Sequence, residues 1–311
     1  MRAVRFPAVG GPEVLRVDDV PDPGAPTGDE VLVRVEASSV NGTDLGLRRG
    51  DLRVATLGRL PFTPGFDVAG EVLACGPGVT AFAPGDRVVA LIGHGGGGQA
   101  ERIRIRQGRA ALAPATVSAV EAAALPLAGL TALQGLGRGG LAARRDARVL
   151  VNGATGGIGT FAVQLAALAG ARVTAVASAA RLDLAAELGA HEVLDRRAVD
   201  LAALRERFDV VLDAAGVLPF LPALLGADGV QVSVRPLSPD VLRAALRPRR
   251  GPRFTAVRTA PRSQDLARLA ALVDAGRLRA VVDRAYPMAD AAAAHRHAEG
   301  GVRGKVVVTL G

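Results

Sequence analysis

The sequence predicts an α/β protein in which a doubly wound parallel sheet is joined to a second, β-rich domain. Three observations carry this reading. From Arg148 to about Arg258, strand-like and helix-like segments alternate, the pattern of βαβ units that lays strands side by side with helices on both faces. The N-terminal third instead carries short strand patterns punctuated by Gly and Pro, as expected of a compact β-rich domain. The length, 311 residues, is enough for two separate cores.

Taken in order, Met1 to Val4 opens in a strand pattern with no apolar signal core, so a cytoplasmic protein is expected. Val31-Leu-Val-Arg-Val35 alternates apolar and polar residues as a half-buried strand does. Val68–Leu73 and Arg87–Ile92 follow as strands, separated by the turn signals Gly76-Pro-Gly78 and Pro84-Gly-Asp86. Ser118-Ala-Val-Glu121 fits a capping box that opens an Ala-rich helix. The alternating region supplies strands at Arg148–Asn152, Arg172–Ala177, Glu192–Leu194, Phe208–Leu212, Val230–Val234 and Phe254–Val257, with helices at Ile158–Ala169 and Ala180–Leu188. Ser263–Leu266 starts a helix that runs to Ala275 and ends on Gly276. Lys305–Leu310 closes as a strand.

Composition excludes several classes. With 49% hydrophobic and 22% charged residues the chain is not disordered. No apolar run approaches the ~20 residues that span a bilayer, so no membrane partner is expected. The net charge of +8 raises nucleic acid as a partner. However, the basic residues are spread among Asp and Glu, and Lys305 is the only lysine. The densest cluster, Arg247, Arg249, Arg250 and Arg253, reads as a solvated loop. With no Trp and one Tyr, base-stacking platforms are scarce, and no nucleic-acid partner is expected. The lone Cys75 rules out an internal disulfide and a multi-cysteine zinc site, and reads as core packing. His295 and His297 sit two apart on a helix pattern and face different ways, while His94 and His191 lie in separate regions. No metal site is expected.

The motif that carries chemistry is Val149-Leu-Val-Asn-Gly-Ala-Thr-Gly-Gly-Ile-Gly159. An apolar strand runs into Gly153, Gly156 and Gly159, and a helix starts near Ile158. A diphosphate needs backbone N–H groups brought close without intervening Cβ atoms, at the positive end of a helix. The strand before, the helix after, and a second strand about 20 residues on make this the Rossmann arrangement. Gly153, Thr155, Gly156, Gly157, Ile158 and Gly159 are the candidate phosphate-binding residues. An NAD site places Asp or Glu at the end of the second strand to hold the ribose 2′-hydroxyl. Here the chain reads Ala177-Ser178-Ala-Ala-Arg181, with no carboxylate before Asp183. A hydroxyl and a guanidinium suit a 2′-phosphate, so NADPH is the expected cofactor.

With Val40-Asn-Gly-Thr-Asp44, Pro64-Gly-Phe-Asp-Val-Ala-Gly-Glu71, Gly85-Asp-Arg-Val88, Gly98-Gln-Ala-Glu101, Ala122-Ala-Ala-Leu-Pro126, Thr131-Ala132, Asp209-Val-Val-Leu-Asp-Ala-Ala-Gly216 and Gly304-Lys-Val-Val-Val308 also in place, the chain closely resembles the zinc-independent quinone oxidoreductase branch of the medium-chain dehydrogenase/reductase superfamily. The resemblance covers nearly the whole length. It implies a GroES-like catalytic domain (residues 1–117, completed by 266–311), a Rossmann domain (118–265), and an active site in the cleft. It also implies a homodimer that pairs the strand near Phe254–Val257 across a two-fold axis. In zinc-bearing relatives, Cys-Gly-Thr-Asp and Gly-His-Glu segments supply the metal site. Here Asn41 and Phe66 stand in place of the thiolate and the imidazole, and an amide and a phenyl ring cannot hold zinc.

Without a Lewis acid, reduction of an already electron-poor carbon is the easier chemistry. The expected activity is hydride transfer from NADPH to a quinone or an α,β-unsaturated carbonyl. An enoyl-thioester or biosynthetic enone reductase, and a non-redox protein that keeps the cofactor site, stay open as alternatives. The resemblance places Asn41 near the nicotinamide; the other reading is a turn residue before Gly42, with Asp44 fixing the turn. It also adds Thr131 and Lys305 to the cofactor-binding candidates. Gln99 stands where relatives carry Tyr, so it can donate a hydrogen bond but not serve as a proton source. Arg196 takes the place of another family Tyr, either beside the 2′-phosphate or exposed. His94, in the Gly93-His-Gly-Gly-Gly-Gly98 loop, is either a proton donor or solvated.

Overall fold

The computed structural model describes residues 1–52, 60–93, 95–235 and 251–311, which contacts divide into two compact units, residues 1–127 with 260–311 and residues 128–259. The first begins with strands β1 (Arg2–Arg5) and β2 (Arg16–Asp19), an antiparallel ribbon. Strand β3 (Glu30–Val40) is longer than its alternation predicts. Its first half alternates as a one-sided strand does, but Ala37, Ser38, Ser39 and Val40 are all buried, so the pattern dissolves while the strand continues. Helix α1 (Gly42–Arg49) follows, with Asn41 at its N-cap and Gly50 in the left-handed region at its end. Strands β4 (Asp67–Cys75), β5 (Arg87–Leu91), β6 (Arg102–Arg106) and β7 (Ala110–Leu112) complete this stretch. Cys75 is half-buried rather than part of the core, with its sulfur 3.4 Å from the Phe82 carbonyl.

The capping box at Ser118 is present, its hydroxyl accepting from the Glu121 N–H. The helix it opens, α2 (Ala119–Ala123), is short, because Pro126 cannot continue a helix and disfavours helical geometry in the residue before it. Pro126 instead starts helix α3 (Pro126–Arg138). Helix α2 packs on β3 and β4, which moves the unit boundary from 117/118 to Leu127/Ala128.

The second unit holds β8 (Arg148–Asn152), α4 (Gly157–Leu168), β9 (Arg172–Ala177), α5 (Leu182–Glu187), β10 (Glu192–Asp195), β11 (Phe208–Asp213), β12 (Leu225–Ser233) and β13 (Arg253–Ala256). Its sheet is parallel throughout, in the order β10-β9-β8-β11-β12-β13. Sequence order reverses between β8 and β11, the doubly wound arrangement. Leu150, Val176, Phe208, Val211, Leu224 and Leu225 form part of its core. Strand β12 starts at Leu225, ahead of the expected Val230, and its register against β11 shifts between Phe208 and Val210.

The chain then returns to the first unit through α6 (Ser263–Asp274), β14 (Val282–Pro287), α7 (Ala291–Glu299) and β15 (Lys305–Thr309). Gly276 follows α6 at φ +65. The resulting sheet runs β14-β15-β3-β4-β5-β7, with β6 also paired to β3. Residues 306–309 therefore lie beside residues 37–40, in the interior of the sheet. Among the described residues no helix is long and apolar enough to cross a membrane. Arg247, Arg249 and Arg250 lie outside the described residues.

Candidate functional site: a glycine turn and a buried amide network

The glycine turn sits at the carboxyl end of β8, beside the point where strand order reverses. Asn152 donates from Nδ2 to Asp213 Oδ1 at 2.8 Å, tying the ends of β8 and β11. The Gly216 and Leu218 N–H groups donate to the same carboxylate at 3.0 and 2.9 Å. Burial raises the pKa of Asp213 above the ordinary carboxylate value in spite of these bonds. Asp213 was legible only as part of a family match; its place at a strand end, three residues before a glycine, was the available signal.

The three glycines do different jobs. Gly153 has φ +77, and its N–H and that of Ala154 both donate to the Val176 carbonyl at 3.0 Å. A Cβ on Gly153 would meet Ala215 at 2.9 Å, and one on Gly159 would lie 2.0 Å from the Gly153 carbonyl oxygen. Both positions are glycine because the turn and the helix pack too closely for a side chain. Gly156 has no such reason. A Cβ there would meet nothing nearer than the Gly153 oxygen at 3.4 Å, and Gly156 caps α4 with no side-chain hydrogen bond. Gly156, Gly157 and Ile158 are partly exposed, while Thr155 is buried. A helix start approached by bare backbone is what a dinucleotide diphosphate requires, so these residues fit that group.

Ser178 follows β9 and accepts the Arg181 N–H at its carbonyl, 2.9 Å. The Arg196 N–H donates to the Ala177 carbonyl at 2.8 Å. The ends of β9 and β10 thus bring Ser178, Arg181 and Arg196 together, with Arg196 exposed and the other two half-exposed. Thr131, on α3, is buried with its hydroxyl 2.7 Å from that of Thr259. Arg235, which sequence reasoning passed over, lies against Gly216. Its Nη1 donates to the Gly216 carbonyl at 3.4 Å.

Asn41 belongs to a buried network within the first unit. The Asn41 and Gly65 N–H groups donate to the two oxygens of Asp44 at 2.8 and 2.7 Å, so Asp44 fixes this turn. Asn41 Nδ2 donates to Asp67 at 3.0 Å and to the Ser39 carbonyl at 3.3 Å. Lys305 Nζ donates to Asn41 Oδ1 and lies 3.6 Å from Asp67. The Ser39 hydroxyl and the Leu127 N–H also donate to Asp67. Burial pushes the Asp44 carboxyl up to about 6 and lowers the Lys305 ammonium, with Asp67 and Asp44 opposing that fall. Both hydrogens of the Asn41 amide are engaged; its oxygen retains a lone pair. Sequence reasoning missed Ser39 and Asp67. The visible signal was the carboxylate that follows Phe66 where zinc-bearing relatives carry theirs.

Two expectations change. Gln99 is completely buried, and its side-chain amide has no partner among the described residues. It points into the interior because its backbone is pinned on both sides, by Val4 N–H to its carbonyl and by its N–H to Pro64, each at 2.9 Å. Gln99 is an internal residue, not one poised to meet a substrate. Lys305 turns its ammonium to Asn41 and Asp67 and is 3% exposed, so it faces the buried amide network and not solvent. His94 lies outside the described residues.

Comparison with known proteins decides the family. Residues 27–142 match the alcohol dehydrogenase GroES-like domain family and residues 188–308 the zinc-binding dehydrogenase family. The chain is 35% identical to the chloroplast envelope quinone oxidoreductase homolog of Arabidopsis thaliana over 323 residues, covering 99% of this chain and 98% of that protein. The chain belongs to the medium-chain dehydrogenase/reductase superfamily. It is also 32% identical to the Arabidopsis thaliana NADPH-dependent alkenal/one oxidoreductase over 323 residues, covering 99% and 79% of the two chains. The structure of the quinone oxidoreductase from Coxiella burnetii superposes with a TM-score of 0.91 at 29% identity, covering 100% and 99%. This dehydrogenase/reductase is a zinc-independent, NAD(P)H-dependent oxidoreductase of the quinone and enone reductase branch. In this reductase the amide at position 41 is held by hydrogen bonds and an internal ammonium. Among the described residues no group of three or more His, Cys, Asp or Glu is arranged to hold a metal.

Proposed function

We propose that the protein transfers hydride from NADPH to a quinone or an α,β-unsaturated carbonyl. The observation that carries this reading is the end of β9. A hydroxyl (Ser178) and two guanidinium-bearing residues (Arg181, Arg196) gather there, and the chain that leaves β9 carries no carboxylate between Ala177 and Asp183. An Asp in that place would repel a 2′-phosphate, whereas Arg gives it charge-assisted hydrogen bonds. In this reading, the N–H groups of Gly157 and Ile158 hold the diphosphate, while Gly156, whose own N–H donates to the Gly153 carbonyl at 3.1 Å, leaves the helix start bare of a side chain; Gly153 and Gly159 permit the approach, and Thr155 and Thr131 line the same unit. When bound, NADPH supplies the hydride.

Asn41 acts as an acceptor. With both Nδ2 hydrogens committed to Asp67 and Ser39, its free lone pair on Oδ1 suits an amide N–H of the ring carboxamide. Lys305 polarises that amide and keeps its orientation. Reduction of an electron-poor C=C or quinone demands no acid as strong as a metal-bound water, which agrees with the amide at position 41 and with relatives named for quinones and alkenals. The outer side of β13 has no strand partner among the described residues, which supports a dimer paired along that edge, testable by sedimentation.

The test is direct. Purified protein is mixed with NADPH or NADH and a panel of benzoquinones, naphthoquinones, alkenals and vinyl ketones, and nicotinamide absorbance is followed. One charge-assisted phosphate contact of about 1.5–3 kcal/mol implies at least a tenfold preference for NADPH in kcat/KM. An equal or better rate with NADH refutes the cofactor assignment. No turnover on any acceptor refutes the substrate class.

A further inference from the structure

A second group of reactive side chains lies on the β14 edge of the first unit and plays no part in the chemistry above. The register of β14 against β15 shifts between Val282 and Arg284, so Asp283 is the extra residue of a bulge. In an unbroken strand Asp283 and Tyr286 would point to opposite faces; a bulge re-aims the side chain it carries. Here it brings both onto His297 of α7. His297 Nε2 lies 3.1 Å from Asp283 Oδ2, and its Nδ1 lies 3.0 Å from the Tyr286 hydroxyl. The Asp283 carboxylate, which also receives the Arg303 N–H at 3.4 Å, can only accept. It therefore fixes the neutral ring with hydrogen on Nε2 and leaves Nδ1 as a base toward the phenol. This is the logic of a nucleophile–histidine–carboxylate relay, recognised by geometry and roles. The Arg284 guanidinium carbon lies 5.8 Å from the Tyr286 ring centre. It sets a positive charge where a phenolate would form.

His297 and Asp283 are 30% and 25% exposed and Tyr286 is half-exposed, so small electrophiles reach the group from solvent. We propose that Tyr286 is an activated phenol that accepts an acyl group from activated esters, with His297 as base and Asp283 as its positioning residue. The phenol oxygen attacks the ester carbonyl as its proton passes to His297 Nδ1. The bond from the carbonyl carbon to the aryloxy oxygen breaks, and the aryloxide departs with the electron pair. The product is an O-acyl tyrosine, and the proton leaves His297 for solvent.

The chain has one tyrosine, so the readout is unambiguous. The full chain is incubated with p-nitrophenyl acetate, nitrophenolate release is followed, and the acetylated peptide is located by mass spectrometry. The expected result is a burst of one equivalent, with acetyl on Tyr286. Its rate is expected to be about a hundredfold above N-acetyltyrosinamide in the same buffer, a typical general-base contribution. His297→Ala removes the advantage. Asp283→Asn, which keeps size but no longer dictates the tautomer, lowers the rate at unchanged melting temperature. Acetylation of Tyr286 no faster than the free amide overturns the proposal on the wild-type chain alone. So does an undiminished rate in folded His297→Ala.

Discussion

Replacing Gly159 and Gly156 by alanine in separate variants distinguishes the glycine that the fold needs from the glycine that a ligand needs. At position 159 the new methyl would sit 2.0 Å from the Gly153 carbonyl oxygen and 2.7 Å from the Cα and carbonyl carbon of Ala154. All three are backbone atoms, so no rotamer change relieves the contact. The turn must move away from α4 by more than 1 Å, roughly the shortfall from ordinary contact, and overpacking of this kind costs about 3 kcal/mol or more. For a unit of this size that lowers the melting temperature by about 10 °C. At position 156 the methyl would meet only the Gly153 oxygen at 3.4 Å, with φ −83 already suited to alanine. Stability should change by less than about 0.5 kcal/mol. If bare backbone at this helix start receives the diphosphate, the methyl intrudes there and weakens NADPH binding by about tenfold, near 1.4 kcal/mol. Thermal denaturation and fluorescence titration with NADPH read the two quantities. Wild-type affinity in Gly156→Ala, or wild-type stability in Gly159→Ala, would refute this division of labour.

Three further outcomes follow from the same geometry. Burial lifts the Asp44 carboxyl from 3.8 to about 6, so the folded chain holds this proton more tightly than the unfolded one. The group's contribution is most favourable below pH 3.8 and falls by about 3 kcal/mol as pH rises through about 6. Urea denaturation across that range should show Asp44→Asn with a flatter pH dependence, and less stable at low pH because one of two N–H groups loses its acceptor, about 1–3 kcal/mol. Lys305→Met leaves buried Asp67 without its cation and should cost about 3 kcal/mol, the lower end for a broken buried pair because Asp67 keeps other donors; adding Asp67→Asn should recover part of the loss in a double-mutant cycle. Arg181→Ala should raise the NADPH KM about tenfold and leave that for NADH unchanged, and equal effects on both cofactors would remove Arg181 from the 2′-phosphate site.

The parts of the fold that were legible in the sequence are those whose signal is local. The glycine turn, the strands from Arg148 to Asp213 and the capping box at Ser118 each declare themselves within a dozen residues. The second half of β3 did not, because burial on both faces erases alternation. Strand β14 was hidden by an exposed edge and by Pro287. The site divides in the same way. The glycine turn could be read directly. The Asn41 network could not, since its cation comes from Lys305, 264 residues away. Resemblance singled out both Asn41 and Lys305, but neither spacing nor composition could show that each satisfies the other, or that Gln99 faces inward.

Because β15 sits between β14 and β3 rather than on an outer edge, order of synthesis matters. On the ribosome, β3 emerges early; β6 can cover its residues 30–34, but residues 37–40 wait with that flank open until some 260 further residues have been made, by which time residues 128–259 can already have folded. The nascent first unit must be shielded through that interval, and a ribosome stalled before Val306 leaves it with an open strand edge, a predictable substrate for chaperones and for degradation.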